Sequence, residues 1–505
     1  MTRIYSSAAK VLIYLGEETE WSRSAVECID SVRNQIEIDD TLYRPGPSLS
    51  RRNHPEYHFD REIWTRLSRL YDYPWFTRVW VIQESLLADN LEFAVGTRAF
   101  PGWLLFSGIS YVLSHLDEHL RADLSSLTAP WESILPEKIE LIRTWQYFKR
   151  GYWTKSFGTL AAAYDAPGAI VYPFDHFDAM TYLKTFECTN PRDRVYGIRA
   201  FFDPGITTDY GSTVEEVFRE FACYLATSVG LPFHCLNKAG RHKQSLRTLP
   251  SWVPDWSAKP VWSFSTQETH NASLGNFAGD LLPCASACKH GRTLRVKGSR
   301  IDTVIDMTEP MDSGKPKAYW EPEELGSLEW KHILYWHRRA RAFVAKTGSS
   351  RYPGTTDRLK VLIRLTAFDA FRMDTRNADA TDLIGDGVNV YIAALDQLRS
   401  RAASDPLVMT EVAGDNRVLA MIKYLAMIPQ KHRLCATSKG FFGLVPMEVY
   451  IGDRVCIVPG IGCPLILRPE AEDHYSFMGA AFIIDIMNGE ALRFSDFNNP
   501  GLLLR

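Results

Sequence analysis

The chain has 505 residues, a formal charge of −3, and 46% hydrophobic, 12% aromatic and 23% charged residues, which excludes a wholly disordered protein. At roughly 100–200 residues per domain the length accommodates about three domains, able to bury a core without metal or disulfide staples. The near-neutral balance argues against a dedicated nucleic-acid binder, which carries a basic excess.

The run Val11-Leu12-Ile13-Tyr14-Leu15-Gly16 is continuously apolar and predicts a strand buried on both faces. Trp21, Ala25, Val26, Ile29, Val32 and Ile36 recur at helical spacing and predict a covering helix, as in an α/β layer. Prolines and glycines between Asp39 and Asp60 predict a loop, after which Ile63, Leu67 and Leu70 resume a helix. Leu91 to Gly96 reads as a strand. Ala99 to Leu116 lacks Asp, Glu, Lys and Arg but contains Pro101 and His115, so it reads as a buried helix and no membrane span is expected. Thr213 with Glu216 forms a capping-box pattern ahead of the stripe Val214, Val217, Phe218, Phe221 and Leu225. Beyond Leu249 to Ser257, a stretch rich in Pro and Trp, come a strand at Leu294-Arg295-Val296 and charged helices near 327–346, 357–374 and 389–401. Between Arg433 and Leu492 short apolar runs are punctuated by Gly, Asp and Pro, which predicts a compact antiparallel β unit.

Several patterns could carry chemistry. His115-Leu116-Asp117-Glu118-His119 would put two imidazoles one helical turn apart, but no third ligand can be named and the segment continues as an ordinary solvated helix end. Cys284, Cys288 and His290 supply three donors without a second pair at finger spacing, and read better as structural residues. No metal and no cofactor is therefore expected. Neither a P-loop nor G-x-G-x-x-G is complete, so no phosphate cradle is supported. The nine cysteines, with no C-x-x-C pair, read as reduced and mostly buried thiols of an intracellular protein.

The segment from Tyr73 to Glu84 places Arg78 and Glu84 in aromatic and apolar surroundings that include Trp80. Two readings stay open: a structural ion pair, or an ionisable site centred on Glu84. Pro191-Arg192-Asp193-Arg194-Val195-Tyr196-Gly197 is accounted for by a helix start, with Asp193 near the positive end of the helix dipole.

These residues resemble a known family. Ile4 to Gly16 is similar to the "IYrsAarVlvWLG" segment of the fungal heterokaryon incompatibility (HET) domain proteins, and Arg78-Val79-Trp80-Val81-Ile82-Gln83-Glu84 to their R-x-W-x-x-Q-E motif. Thr189 to Gly197, carrying Pro191, Arg192, Asp193 and Tyr196, resembles "TdPRDkVYaLlGl", and Leu249 to Ser257, carrying Trp252, Asp255 and Trp256, resembles "LPSWvPDWS". Thr437 to Pro446 with Gly440, then Gly452-Asp453-Arg454-Val455, then Met487-Asn488-Gly489-Glu490 resemble the family's C-terminal signatures. The two motifs that normally open the domain, like "LSYvWG" and "iDaiCINQ", are not found, so the expectation is a HET domain lacking its N-terminal part.

The resemblance implies a partial TIR-like α/β HET domain, followed by a mainly helical region and a small C-terminal antiparallel β unit, α+β overall. The expected boundaries are 1–110, 111–270, 271–432 and 433–505. It also implies a cytoplasmic role in fungal non-self recognition and programmed cell death, through a protein partner or self-association, without nucleic acid. As an alternative, the TIR likeness implies cleavage of NAD or a related nucleotide by Glu84, with Arg78 orienting a phosphate or the carboxylate. The remaining motif residues are expected to be structural.

Overall fold

Local patterning sorts the chain of the computed structural model into two units, Met1–Tyr210 and Gly211–Arg505. The structure describes residues 2–42, 66–105, 186–199, 207–227, 236–258, 272, 286–309, 327–347, 351–366, 391–399, 432–494 and 501–505, except 68, 89, 103, 237, 238, 288–291, 353, 398 and 460. Helices and mixed sheets make it an α+β protein with a C-terminal sheet. Among the described residues no helix is long and apolar enough to cross a membrane.

In the first unit, helix α1 (Thr2–Ser7) leads into strand β1 (Val11–Gly16) and then helix α2 (Glu20–Leu42), whose Ala25, Val26 and Ile29 are buried at the expected helical spacing. After the short helix α3 (Val81–Leu86), strand β2 (Leu91–Val95) lies parallel to β1, and β3 (Arg98–Pro101) folds back antiparallel to β2. The order β1-β2-β3 makes β2 the central strand. It buries Leu91, Phe93, Ala94 and Val95, while β1 buries only Ile13 and leaves Leu12 58% and Tyr14 52% exposed.

The expectation that β1 is buried on both faces is thereby corrected. It has one hydrogen-bonded neighbour among the described residues, and an apolar run cannot distinguish an edge from a centre. The helix expected from Ala99 is corrected too. Arg98 to Pro101 pairs with Glu92 to Val95, because a two-residue turn at Gly96 reverses the chain and the ladder claims the residues that follow.

In the second unit Thr213 and Glu216 close the expected box: the Thr213 amide donates to Glu216 Oε2 at 2.8 Å and the Glu216 amide to Thr213 Oγ1 at 3.2 Å. Following helix α5 (Val214–Thr227; α4 is the single turn Asp193–Tyr196 of the first unit) buries Val217, Phe218, Phe221 and Leu225. Helices α6 (Ser327–Lys346) and α7 (Thr355–Thr366) pack on one another.

The C-terminal sheet reaches further upstream than the apolar runs suggest. Strands β4 (Ser286–Ala287), β5 (Leu294–Val296) and β6 (Ser299–Met307) join β7 (His432–Thr437), β8 (Phe442–Pro446), β9 (Arg454–Ile457), β10 (Leu465–Pro469), β11 (His474–Ala480), β12 (Phe482–Ile483) and β13 (Leu502–Leu504). The order is β12-β8-β7-β6-β9-β10-β11-β13-β5-β4. Since β12 begins directly after the single residue Ala481 that follows β11, its pairing with β8 closes the sheet into a barrel of β6 to β11. Closure is tight at Gly443, where a Cβ would lie 2.7 Å from Ile483 Cγ1 and 2.8 Å from the Phe482 carbonyl, so no larger residue fits.

Register irregularities in β6 and β10 supply the local bends that closure needs. The barrel is filled by Ile301, Val304, Val445, Val455, Ile466 and Met478, all essentially inaccessible. One pairing departs from the antiparallel expectation: β13 runs parallel to β11 and links it to β5.

Candidate functional site

The aromatic stretch around Glu84 is built by a one-turn helix at Pro74–Thr77, where Pro74 presets the first turn. It drives Phe76 into the core, stacked on Phe93 at 5.6 Å between centroids, with Trp75 edge-on to both rings. The Trp75 indole N–H donates to Glu84 Oε2 at 3.2 Å. Tyr5 of α1 lies near enough to the same carboxylate to feel it. Burial pushes the Tyr5 phenol up, and the charge and hydrogen bond of Glu84 push it further, with Arg78 pulling the other way.

Arg78 is exposed, and among the described residues no ion pair joins it to Glu84, whose side-chain donor is Trp75. The reading of Arg78 and Glu84 as a structural ion pair is corrected on that ground. A carboxylate that accepts from an indole N–H is fixed in direction.

The rest of the motif makes contacts within the fold. Trp80 caps α3 and its carbonyl accepts from the Gln83 amide at 3.1 Å. Gln83 is buried and donates through Nε2 to the Tyr196 carbonyl at 2.7 Å, while the Val79 amide donates to the Glu187 carbonyl at 3.0 Å. The two signatures, 113 residues apart, thus lock together through backbone. The Gln83→Met variant, which keeps the length and loses the donor, is expected to cost about 1–2 kcal/mol in chemical denaturation by stranding a buried carbonyl.

The second signature also ties down its own flank. Pro191 offers its carbonyl to Arg194, and Arg192 donates to Asn190 Oδ1 at 3.0 Å and to the Tyr210 carbonyl at 2.6 Å while lying over the Tyr210 ring. Asp193 accepts from the Tyr210 hydroxyl at 2.6 Å; burial, then that carboxylate, push the phenol up to about 12. The Tyr196 hydroxyl donates to the Asp209 carbonyl at 2.7 Å.

In the second unit the stretch Leu249 to Ser257 forms a hub around Asp255. Its Oδ2 accepts from the Ser245 amide and hydroxyl and the Leu246 amide, and its Oδ1 from the Ser257 amide and hydroxyl and the Ala258 amide, all within 2.6–3.2 Å. Burial works to raise this carboxyl, but the hydroxyl and amide donors outweigh it and hold it below the usual carboxylate range. Trp252 is fully buried and donates to the Arg292 carbonyl at 3.1 Å. Trp256 packs against Phe218 and Phe221 of α5, and Gln244 Nε2 binds the Pro250 and Val253 carbonyls.

The C-terminal signatures grip β6 from two sides. Gly440 and Gly452 both hold positive φ, 83° and 98°, which suits residues without a Cβ. The Gly440 turn presents Ser438 and the Lys439 amide to Asp302, and the Gly452 amide donates to the Val304 carbonyl at 2.8 Å. Asp453 is buried and takes a two-pronged contact from Arg468, Nε to Oδ1 at 3.0 Å and a terminal nitrogen to Oδ2 at 2.9 Å. Gly489 turns the chain so that Glu490 accepts from the Asn488 amide at 2.7 Å.

Sequence reasoning named Glu84 but not Trp75 as its donor, since the two come from separate elements with no common period. Ser245 and Arg468 were likewise silent, being ordinary polar residues until the fold delivers them. His115, His119, Cys284, Cys288 and His290 lie outside the described residues. The described thiols of Cys435, Cys456 and Cys463 are buried, and burial pushes each up to about 12, so they pack as small apolar groups and not as nucleophiles.

Residues 1–84 match the family described as "Heterokaryon incompatibility protein (HET)", and residues 356–496 match the "Het-6 beta-barrel domain". The second match spans β7 to β12 but leaves out β6, the strand that completes the barrel. Heterokaryon incompatibility protein 6, OR allele, of Neurospora crassa is 22% identical over 557 residues, covering 97% of this chain and 78% of the relative. No solved structure matches the chain.

Proposed function

The chain belongs to the fungal heterokaryon incompatibility (HET) domain proteins, and from that membership we propose that it takes part in non-self recognition after cell fusion and in the death response that follows. The observation that carries this reading is the likeness to the Neurospora incompatibility protein over 97% of the chain. The role is carried out by protein contact in the cytoplasm, with the α/β segment as the signalling module and the helical and barrel regions as its partner-binding part. The parallel pair β1 and β2, with α2 between them in sequence, supports a TIR-like layer for that module. Expression in a fungus lacking its own copy, followed by vital-dye scoring of fused cells, should give death only in pairings with particular strains. Equal survival in all pairings would sink the reading.

A second reading is favoured by the geometry of Glu84. Held by Trp75, it would stabilise the positive charge that develops on a ribose carbon as nicotinamide leaves and water adds in its place, with Arg78 orienting a phosphate. Purified protein should then release nicotinamide from NAD, and Glu84→Gln should lower the rate by roughly 100-fold at unchanged melting temperature. No release by the unaltered protein, or equal release by the variant, overturns this alternative and leaves the first reading standing.

A further inference from the structure

Guanidiniums gathered without counter-charges repel one another, and an anion bound among them relieves that repulsion. Three of them meet at one turn of the second unit, residues 247–249. Arg241 donates through a single terminal nitrogen to the Leu249 carbonyl at 2.9 Å, the Arg247 carbonyl at 3.4 Å and Gln244 Oε1 at 3.1 Å. Arg292, just ahead of β5, donates to the Thr248 carbonyl. Arg247 donates to the Arg241 carbonyl at 3.1 Å and takes Glu448 in a two-pronged contact at 3.0 and 3.2 Å.

The charges do not balance within ion-pair range. Glu448 answers Arg247, but among the described residues no carboxylate pairs with Arg241 or Arg292, whose acceptors are carbonyls and an amide. Glu215 of α5 is engaged with the Thr248 hydroxyl at 2.8 Å. Burial lowers the Arg241 guanidinium from its ordinary value, and the neighbouring Arg247 and Arg292 lower it further, with Glu470 and Glu448 pulling the other way without restoring it. Arg247, Thr248 and Arg292 are exposed, so a ligand from solvent reaches the turn.

We propose that Arg241 and Arg292, with Arg247 beside them, form a binding site for a phosphomonoester. Two guanidiniums without a paired carboxylate match a phosphomonoester, which carries about −1.5 to −2 at neutral pH, better than they match a single carboxylate. The guanidinium suits the task because it is planar, always charged and able to take two phosphate oxygens at once. The carbonyls behind Arg241 and Arg292 hold both side chains in place before a ligand arrives, so little side-chain freedom is lost on binding. A phosphorylated side chain of a protein and a small phosphate ester present the same group. The inference goes beyond the proposed function and rests on the second unit alone.

The test titrates the full chain with inorganic phosphate and, separately, with a phosphothreonine peptide, at an ionic strength fixed with chloride so that screening stays constant. Saturable binding of one phosphate group per chain and a raised melting temperature are expected. Arg292→Gln, at an exposed position, should weaken binding about tenfold or more and leave melting without phosphate unchanged. Arg292→Lys keeps the charge and loses the fork, so its affinity should fall between the two. Should Arg292→Gln disturb folding, Arg292→Lys takes its place and should still bind more weakly than the unaltered protein. Tighter binding of the peptide than of inorganic phosphate upholds the site with a phosphorylated protein as its source, and equal binding upholds it with a small phosphate ester. No saturable binding of either probe, equal binding of the unphosphorylated peptide, or undiminished binding by the Arg292 variants overturns the proposal.

Discussion

Replacing Asp255 with alanine is expected to destabilise the second unit by roughly 3–5 kcal/mol, measured by denaturant titration. The carboxylate receives six hydrogen bonds, four of them from the backbone amides of Ser245, Leu246, Ser257 and Ala258. Those amides point inward at a residue that is only 3% exposed, and water cannot take over all of them at once. The two serine hydroxyls can rotate to other acceptors, so the amides dominate the loss. The same loop carries Trp252 and Trp256, so its loosening should also be read as a change in near-ultraviolet circular dichroism.

The same site sets an acid limit. The folded-state value of Asp255 lies below its unfolded value, so an unfolded chain takes up this proton first as pH falls. The contribution to stability is complete above the unfolded value of about 3.9 and is lost as pH drops through the lower folded value. Stability of the unaltered protein should therefore fall across that window. In Asp255→Asn, which has no charge to lose there, that component should be missing, and an undiminished slope in the variant would assign the acid sensitivity elsewhere.

Replacing Asp453 with alanine is the second large effect, expected at about 2–3 kcal/mol. Arg468 would keep its contact with the Glu448 carbonyl at 2.6 Å and its place over the Tyr450 ring, but would lose its counter-charge. The Arg468 side chain is 27% exposed, so water relieves part of the penalty and holds the figure below that of a sealed pair. The loss extends beyond the pair. Asp453 also accepts from the Tyr450 amide at 2.9 Å, which shapes the turn whose Gly452 and Asp453 backbone binds Val304 of β6. A double-mutant cycle with Arg468→Met should return a coupling of about 1–3 kcal/mol. Additivity would mean the turn, and not the charge pair, carries the energy.

Much of this was legible in local pattern. Helix α2 and the boxed start of α5 follow from apolar spacing and from Thr213 with Glu216, because both depend on residues within one or two turns. The strands from β7 to β12 follow from runs bounded by turn residues. What failed was everything set by neighbours. The run Val11–Gly16 was apolar enough for a central strand and has one strand partner among the described residues; Ala99 was charge-poor enough for a helix and was drawn into β3 by its pairing with Ala94. Strand β6 gave little local sign of itself, because its residues alternate imperfectly and its register is interrupted twice.

The sequence by itself determined the resemblance to the HET proteins, the helical stripes and the order of the β runs, since each rests on residue types at short or fixed spacing. Tertiary structure alone decided that Glu84 accepts from Trp75, that Asp255 gathers six donors, and that a barrel closes through a strand more than 120 residues upstream of the next. These are contacts between groups far apart in the chain, and no local propensity encodes which of many similar serines, tryptophans and strands will meet.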